Sequence, residues 1–393
     1  MGRFREALAG PGLQAIAEVK RRSPSAGDLR PNADPAVLAR GFGLAGAAAI
    51  SVLVDERFAG SVDDLRAARA ATDTPLIGKG FFHEESQIRE LAEAGADAFL
   101  LILRDLSDEQ VARLRAYGAE LGLDALVEAH DAEELARGLA LGADPIGVNC
   151  RDLSTFAIDR RRQLELVAQI PQDRVIVAES GIWSRAQAAL AELAGASAVL
   201  VGSALMRAPD PAAQLQELIS RPLVKICGLT RQEDVDAAAD AGADLAGFVL
   251  AAESPRRAPG LLEVPETMLS VAVQVGERRD VGADLTQLYK REDEHRGRDA
   301  VLYLGEEPVA EVLDLPWEGQ DAGHLNRVAT AAREKRVMLA GGLGPENVAA
   351  AVERVQPWAV DASSALETAP GIKDHERVRE FVRAARLVTR TRV

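Results

Sequence analysis

Cysteine is scarce in this chain, which contains only Cys150 and Cys227 among its 393 residues. Two thiols so far apart in sequence exclude a disulfide framework and a thiolate metal site. The five histidines are scattered and do not show the spacing of metal ligands. We therefore predict no metal site.

Long apolar runs and an excess of positive charge are also missing. The apolar run at residues 96–103 is too short to span a bilayer, and residues 1–10 carry charges where a signal peptide has its apolar core. The formal net charge of −15 argues against nucleic acid or an anionic membrane as a partner, because both attract clustered Lys and Arg. We expect a cytoplasmic protein that acts on small molecules and requires no oligomer.

Composition and length indicate a folded protein of more than one domain. Hydrophobic residues make up 47% of the chain and charged residues 27%, which is ordinary for a globular protein. A chain of 393 residues exceeds the usual size of a single hydrophobic core. The length therefore favours two domains.

One short pattern recurs along the chain: an Ala-rich segment of helical composition ends at a glycine, and an apolar run follows. The glycines are Gly46, Gly95, Gly142, Gly195 and Gly242. Each suits the left-handed position that ends many helices. The copies lie roughly 50 residues apart, which fits two strand-and-helix units per interval. Alternating strands and helices predict a parallel sheet.

The first half of the chain contains eight apolar runs, the number of strands in a (β/α)₈ barrel. The runs lie at residues 14–19, 48–53, 76–78, 98–103, 125–127, 146–148, 175–178 and 198–201. Polar residues stand at or just after their ends: Lys20, Asp55, Lys79, Arg104, Glu128, Asn149, Glu179 and Ser203. Because these ends meet on the face where such barrels carry their chemistry, we predict an active site there. Alternatively, charges simply follow strands that reach the surface, which would explain Asp55 and Arg104.

These strand ends offer both acid–base groups and a phosphate site. Two Lys and two Glu close together in a dry barrel mouth can shift one another's pKa toward a working range, although a structural ion-pair network is the alternative. Glu18 lies two residues before Lys20 and so shares its face of the strand. Small residues after the last two strands, at 180–181 and 202–203, fit a phosphate cradle, although turns also use glycine routinely.

Six segments of the first half resemble indole-3-glycerol-phosphate synthase. They are residues 16–29 (IAEVKRRSPSAGDL), 50–58 (ISVLVDERF), 126–130, 147–153 (GVNCRDL), 178–182 (AESGI) and 201–206. The resemblance covers residues 11–219 and implies an enzyme without a cofactor. Enzymes of this family close an indole ring on carboxyphenylamino-deoxyribulose phosphate, with loss of carbon dioxide and water.

The resemblance also implies roles for individual residues. Lys79 would be the general acid, Lys20 would position the substrate or donate a proton, and Glu128 would be the base. Glu18, Asn149, Arg151, Glu179 and Ser180 would line the substrate, and Ser23, Gly181, Gly202 and Ser203 would hold its phosphate. Two departures stand out. Gly80 replaces the Asp of the family's Lys-Asp-Phe, and Lys20 follows a shorter N-terminal segment, so we expect altered acidity of Lys79 and either weaker affinity or closure of the site by another segment.

The second half resembles phosphoribosylanthranilate isomerase in five segments, at residues 224–230 (VKICGLT), 243–249, 254–256, 339–348 and 360–374. This family performs an Amadori rearrangement, which needs one base and one acid. The resemblance implies Cys227 as base, Asp314 as acid and Arg256 as a contact for the anthranilate carboxylate. It implies a phosphate site at Gly341, Gly342, Ser363 and Ser364. A thiolate base requires a lowered pKa, and core packing is the alternative for a lone cysteine.

The middle of the second half departs from the family. The usual Gln-Leu-His-Gly is Gln-Leu-Tyr-Lys at residues 287–290, and only a turn at 305–308 separates two apolar runs. Parallel strands cannot be joined so tightly. We therefore predict that residues 290–310 lack a barrel helix and form a hairpin. The charges of Arg291, Glu292, His295, Arg296 and Arg298 are either a solvated run or a rebuilt substrate contact.

The sequence thus predicts two fused (β/α)₈ barrels, at residues 1–220 and 221–393, that bind phosphorylated small molecules. The resemblances imply that the isomerase product passes to the synthase. One alternative keeps the synthase active and makes the second barrel a non-catalytic module. Another makes the second barrel a different phosphate-binding isomerase that acts on an aminoaldose of the histidine pathway.

Overall fold

The computed structural model describes residues 2–24, 26–149, 151, 158–290, 299–314 and 322–390. The chain forms two compact units, Met1–Trp183 with Ala188–Ile219 and Ser184–Gln187 with Ser220–Val393. Each unit contains a closed barrel of eight strands, which confirms the predicted fold class. The charge run predicted at residues 291–298 lies outside the described residues.

The first barrel consists of eight parallel strands, each hydrogen-bonded to the next and the last to the first. They are β1 (Gln14–Val19), β2 (Ala49–Leu53), β3 (Leu76–Lys79), β4 (Ala98–Ile102), β5 (Asp124–Ala129), β6 (Ile146–Asn149), β7 (Ile176–Glu179) and β8 (Ala198–Val201). All eight predicted strands are confirmed. Several run slightly further than predicted, so Lys79, Glu128, Asn149 and Glu179 belong to the strands themselves.

Helices surround this barrel. They are α1 (Arg3–Leu8), α2 (Pro35–Leu44), α3 (Val62–Ala71), α4 (Glu85–Glu93), α5 (Asp108–Glu120), α6 (Ala132–Ala140), α7 (Arg160–Val167), α8 (Arg185–Leu193), α9 (Ser203–Arg207) and α10 (Pro211–Ile219). Side chains cap several of them; the Asp34 carboxylate, for example, accepts the N–H groups of Ala36 and Val37. The predicted left-handed glycines are confirmed at all five positions of the repeat.

The second barrel has the same number of strands but mixed directions. Its strands are β9 (Leu223–Cys227), β10 (Leu245–Val249), β11 (Leu269–Val275), β12 (Leu285–Tyr289), β13 (Asp299–Leu304), β14 (Glu307–Asp314), β15 (Val337–Ala340) and β16 (Ala359–Ala362). Strand β13 is antiparallel to both β12 and β14, and the other pairs are parallel. The turn at residues 305–306 joins β13 to β14, which confirms the predicted hairpin.

Helices cover this barrel unevenly. They are α11 (Gln232–Asp240), α12 (Ala322–Glu334), α13 (Val348–Val355) and α14 (His375–Arg390). The described segments 250–268 and 276–284 link strands without a helix. Where helices cover the barrel, Phe248, Val328, Val352 and Phe381 are buried in one cluster. Within the described residues, no helix is long and apolar enough to cross a membrane.

Candidate active site

A cavity of about 310 Å³ lies at the carboxyl ends of the first barrel's strands. The predicted site residues that line it are Glu18, Lys20, Ser23, Lys79, Glu128, Asn149, Arg151, Ser180, Gly181, Gly202 and Ser203. Glu179 joins them through an ion pair with Lys79. The structure therefore brings every residue predicted for this site together. Asp55 and Arg104 instead pair with Arg57 and Glu134, as the surface alternative predicts.

Three carboxylates surround the ammonium group of Lys79. Its Nζ lies 2.6 Å from Oε2 of Glu179, 3.6 Å from Oε2 of Glu18 and 3.9 Å from Oε2 of Glu128. The three Glu side chains are almost fully buried, and Lys20 pairs with Glu18 at 2.5 Å. Three carboxylates, from β1, β5 and β7, thus meet two cations, one from β3 and one from the residue after β1.

This arrangement separates the acidities of the cluster. Burial alone would lower the pKa of Lys79, but the three carboxylates outweigh burial and raise it above its ordinary value. Burial and the neighbouring charge of Glu128 raise the pKa of Glu179 to about 8. Burial opposes ionisation of Glu128 as well, yet His130 and Lys79 lower its pKa to about 2. At neutral pH, Glu179 is therefore the protonated member and Glu128 the ionised member of this pair of Glu side chains.

The predicted phosphate residues lie on the same cavity wall. Ser180 and Gly181 both have positive φ, 67° and 74°, so the chain turns sharply after β7. Gly202 directly follows β8 and is closely packed. A Cβ at this position would lie 2.4 Å from Oε1 of Glu18 and 3.0 Å from Nζ of Lys20. Small residues keep the backbone accessible at this wall. Phosphate binding itself stays a prediction.

Aromatic residues also line the cavity, and the sequence analysis did not identify them. They are Phe58, Phe81 and Trp183. The Arg57 guanidinium lies 3.8 Å from the centre of the Phe81 ring, and two hydrogen bonds to Asp55, both 2.8 Å, hold it there. Phe58 and Phe81 stand in or beside segments already recognised in the sequence. Phe58 directly follows Arg57, and Phe81 comes two residues after Lys79. These positions were the available signal, but only the fold shows which side chains face inward.

In the second barrel, a fully buried lysine connects the polar side chains at the strand ends. Lys225 Nζ donates to Oδ2 of Asp361 and to Oε1 of Gln287, both at 2.8 Å. Nε2 of Gln287 donates to the Tyr289 hydroxyl at 2.9 Å, and that hydroxyl lies 3.5 Å from Oδ2 of Asp314. Tyr289, which replaces the family's His, therefore reaches the predicted acid.

Cys227 belongs to this buried cluster. A Cβ on Gly247 would lie 3.0 Å from its Sγ and 2.9 Å from Cε of Lys225, so both side chains face the same strand. Burial raises the pKa of the Cys227 thiol, and the positive charge of Lys225 opposes that rise. The free protein thus holds a protonated thiol, not the thiolate that a base requires. Its role as base stays a prediction.

Arg256 and Ser363, one of the predicted phosphate residues, lie beside the turn after β9. A Cβ on Gly228 would lie 2.9 Å from Oγ of Ser363 and 3.0 Å from Cδ of Arg256. Glu367 accepts from Nε of Arg256 at 2.9 Å and from Lys373 at 2.8 Å. Gly341 and Gly342 follow β15, and Ser363 and Ser364 follow the adjacent β16. The structure therefore places these residues at neighbouring strand ends.

Comparison with known proteins covers both barrels. Residues 2–218 match the family model described as indole-3-glycerol phosphate synthase. Residues 319–384 match the model described as N-(5'phosphoribosyl)anthranilate (PRA) isomerase. The segments at 224–230, 243–249 and 254–256 lie outside that second match. Both family resemblances are confirmed.

Two relatives agree with these matches, and one solved structure is reported beside them. An indole-3-glycerol phosphate synthase from Nocardioides sp. is 52% identical over 51% of this chain and 77% of its own length. A multifunctional tryptophan biosynthesis protein from Phycomyces blakesleeanus is 32% identical over 95% of this chain, which spans 62% of that relative. The crystal structure of TrpF from Jonesia denitrificans is 28% identical, covers 43% of this chain and 98% of its own, and has a TM-score of 0.35. On the match over residues 2–218, the chain belongs to the indole-3-glycerol phosphate synthase family.

Proposed function

We propose that the chain catalyses two consecutive steps of tryptophan biosynthesis. The second barrel isomerises phosphoribosylanthranilate to carboxyphenylamino-deoxyribulose phosphate, and the first barrel closes that product to indole-3-glycerol phosphate. The cluster of Lys79 with Glu128 and Glu179 carries the proposal, because it sets an acid and a base into one cavity of the family-matched barrel. The two family matches support pairing the activities.

In the synthase reaction, Lys79 acts on the ribulose carbonyl. Its ammonium group donates a proton to the carbonyl oxygen while the aromatic carbon that bears the carboxylate attacks the carbonyl carbon. Carbon dioxide leaves that ring carbon. The former carbonyl oxygen, now a hydroxyl, takes a second proton from Lys20 and leaves as water. Glu128 accepts the proton released as the indole ring forms. The buried carboxylates keep Lys79 charged until the substrate binds. The ion pair with Glu18 fixes the position of Lys20 at the substrate site.

In the isomerase reaction, the proposal gives Asp314 and Cys227 the acid and base roles. Asp314 protonates the ring oxygen as the aminoribose opens, and Cys227 moves the proton between carbons. Burial holds the thiol protonated in the free protein, and the positive charge of Lys225, with a smaller effect of Lys373, favours the thiolate. The proposal assigns residues 1–220 to the synthase and 221–393 to the isomerase. It includes a cytoplasmic location, because charged phosphate esters do not cross apolar membranes unaided.

The purified protein is expected to convert phosphoribosylanthranilate to indole-3-glycerol phosphate without another enzyme. Cys227→Ala should lower the isomerase rate at least ~100-fold, because it removes the base, and should leave the synthase rate unchanged when the intermediate is supplied. The fluorescence change of each substrate measures the two steps separately.

The outcomes separate the open alternatives. An unchanged isomerase rate in Cys227→Ala would remove the thiol from the mechanism. A wild-type protein that performs only the synthase step would make the second barrel a non-catalytic module. Turnover of a histidine-pathway aminoaldose in place of phosphoribosylanthranilate would identify a different isomerase.

Gly202→Ala is expected to lower the synthase kcat/KM ~10-fold to ~100-fold, because the new methyl group would displace Glu18 and Lys20 from their contact. Initial rates at varied substrate concentration measure the effect. Gly260→Ala is the matched control, since a Cβ there meets no atom within 4 Å. Equal rates in the two variants would show that the close approach at Gly202 does not position the charged pair.

A further inference from the structure

A buried histidine lies directly behind Glu128 and does not line the cavity. His130 follows β5 and is 7% exposed. Its Nε2 lies 3.1 Å from Oε1 of Glu128, and its Nδ1 lies 3.0 Å from Oε2 of Glu134 in α6. The imidazole ring thus stands between two carboxylates, one inside the site and one outside it.

The contact between His130 and Glu134 extends to the surface. Glu134 also accepts the backbone N–H of His130 at 2.8 Å and the Nε of Arg104 at 3.2 Å. The Arg104 side chain is 40% exposed. Opposite charges therefore alternate from Lys79 in the cavity, through Glu128, His130 and Glu134, to Arg104.

Both ring nitrogens face a carboxylate oxygen, and both carry a proton only in the imidazolium form. A neutral imidazole has one N–H group, so one of its nitrogens would turn a lone pair toward a carboxylate oxygen. Burial alone would lower the pKa of His130, but its hydrogen bonds and the charges of Glu128 and Glu134 raise it to about 9. The ring is therefore an imidazolium at neutral pH.

Of the three site carboxylates, this cation contacts Glu128. His130 lies 3.1 Å from Glu128, whereas Glu179 pairs with Lys79 at 2.6 Å. Lys79 lies 2.6 Å from Glu179 but 3.9 Å from Glu128, so Lys79 alone would favour the ionised form of Glu179. The imidazolium therefore favours ionisation of Glu128 over ionisation of Glu179.

We propose that His130 is a positioning residue of the synthase: it orients the Glu128 carboxylate and determines that Glu128, and not Glu179, is the ionised member of the pair. This inference rests on the proposed role of Glu128 as base. The ring does not touch the cavity, so it acts through Glu128. The charged groups that act on it are Glu128 on β5 and Glu134 on α6. Behind these stand Lys79 and Glu179 from β3 and β7, and Arg104 from the turn after β4.

The test separates charge from hydrogen bonding by comparing two variants. His130→Ala removes both, and we expect kcat to fall ~10-fold to ~100-fold with KM changed less than ~3-fold. His130→Gln keeps a neutral donor and is expected to recover most of kcat at the pH optimum. In both variants the acidic limb of the kcat profile should move upward by about one pH unit or more, because Glu128 has lost its cation and protonates at higher pH.

Glu134→Gln tests the other half of the contact. Loss of the Glu134 charge lowers the pKa of His130, so the alkaline limb should move down from near pH 9. The matched control is His375→Gln, because Nε2 of His375 lies 2.8 Å from Asp234 in the second unit. That variant should leave the synthase profile unchanged.

Three outcomes would overturn the proposal. They are wild-type pH limbs in all variants, a fall in kcat that is equal at every pH, and a shift in the His375→Gln control as large as that of His130→Gln. Thermal unfolding of each variant identifies a loss of folded protein. Absence of synthase turnover in the wild type would instead contradict the proposed function.

Discussion

Lys79→Ala is expected to lower the synthase kcat ~10³-fold to ~10⁴-fold and to leave the isomerase rate unchanged. The substitution removes the proposed proton donor and the only side chain whose ammonium lies within 4 Å of Glu18, Glu128 and Glu179 among the described residues. The coupled assay should then show the isomerase product accumulating. Fluorescence of the reaction mixture measures this accumulation.

The same variant should change the pH dependence of stability. Without the cation, the buried carboxylates hold protons in the folded state at pH values where the unfolded chain has released them. Burial already raises the pKa of Glu179 to about 8, above its ordinary 4.5. A raised folded-state pKa gives stability that is present below pH ~4.5 and lost as the pH rises through the folded-state value. The midpoint temperature of thermal unfolding of Lys79→Ala should therefore decrease as the pH is raised from 5 to 8, as the linkage relation requires.

Lys335→Ala is the control for these measurements, because Lys335 forms a half-exposed ion pair with Glu311 at 2.5 Å. Its loss should change stability by less than ~1 kcal/mol and neither rate. If Lys79→Ala retained more than a tenth of the synthase kcat, Lys79 would not be the general acid. A midpoint that does not depend on pH would mean that the carboxylates have found another partner.

The first barrel was largely predictable because its signals are local. Apolar runs, helix-ending glycines and polar strand ends each depend on neighbouring residues only, and together they locate Lys79, Glu128 and Glu179. The division of protons between the two Glu side chains was not predictable. It depends on burial and on contacts across the barrel, above all that of His130, a residue that stood inside a recognised segment without a role.

In the second barrel, too, local patterns predicted parts of the fold but not the contacts between strands distant in sequence. The hairpin followed from a turn too short for a parallel crossover. The position of Lys225 beside Cys227 could also have been predicted, because residues two apart on a strand share a face. Its partners Asp361 and Gln287 come from strands far away in sequence. The raised pKa of the thiol reflects burial in the assembled barrel, which no local pattern shows.

Lys225→Met is expected to destabilise the second barrel by about 4 kcal/mol, because it leaves the buried carboxylate of Asp361 without its cation. The Lys225 side chain is fully buried, and Asp361 is 6% exposed. Hydrogen exchange of the amides in β9 and β16 measures the local stability of this barrel alone. The isomerase rate should also fall, because Lys225 is the larger of two lysine charges that oppose the rise in the pKa of Cys227.

The double variant Lys225→Met with Asp361→Leu separates these two effects. It removes both charges and replaces them with apolar groups, so most of the lost stability should return. Activity should not return, since the thiol still lacks the cation that favours its thiolate. A double variant as unstable as the single one would mean that shape, and not charge, makes Lys225 necessary. Recovery of the isomerase rate together with stability would mean that Lys225 supports the fold and has no influence on Cys227.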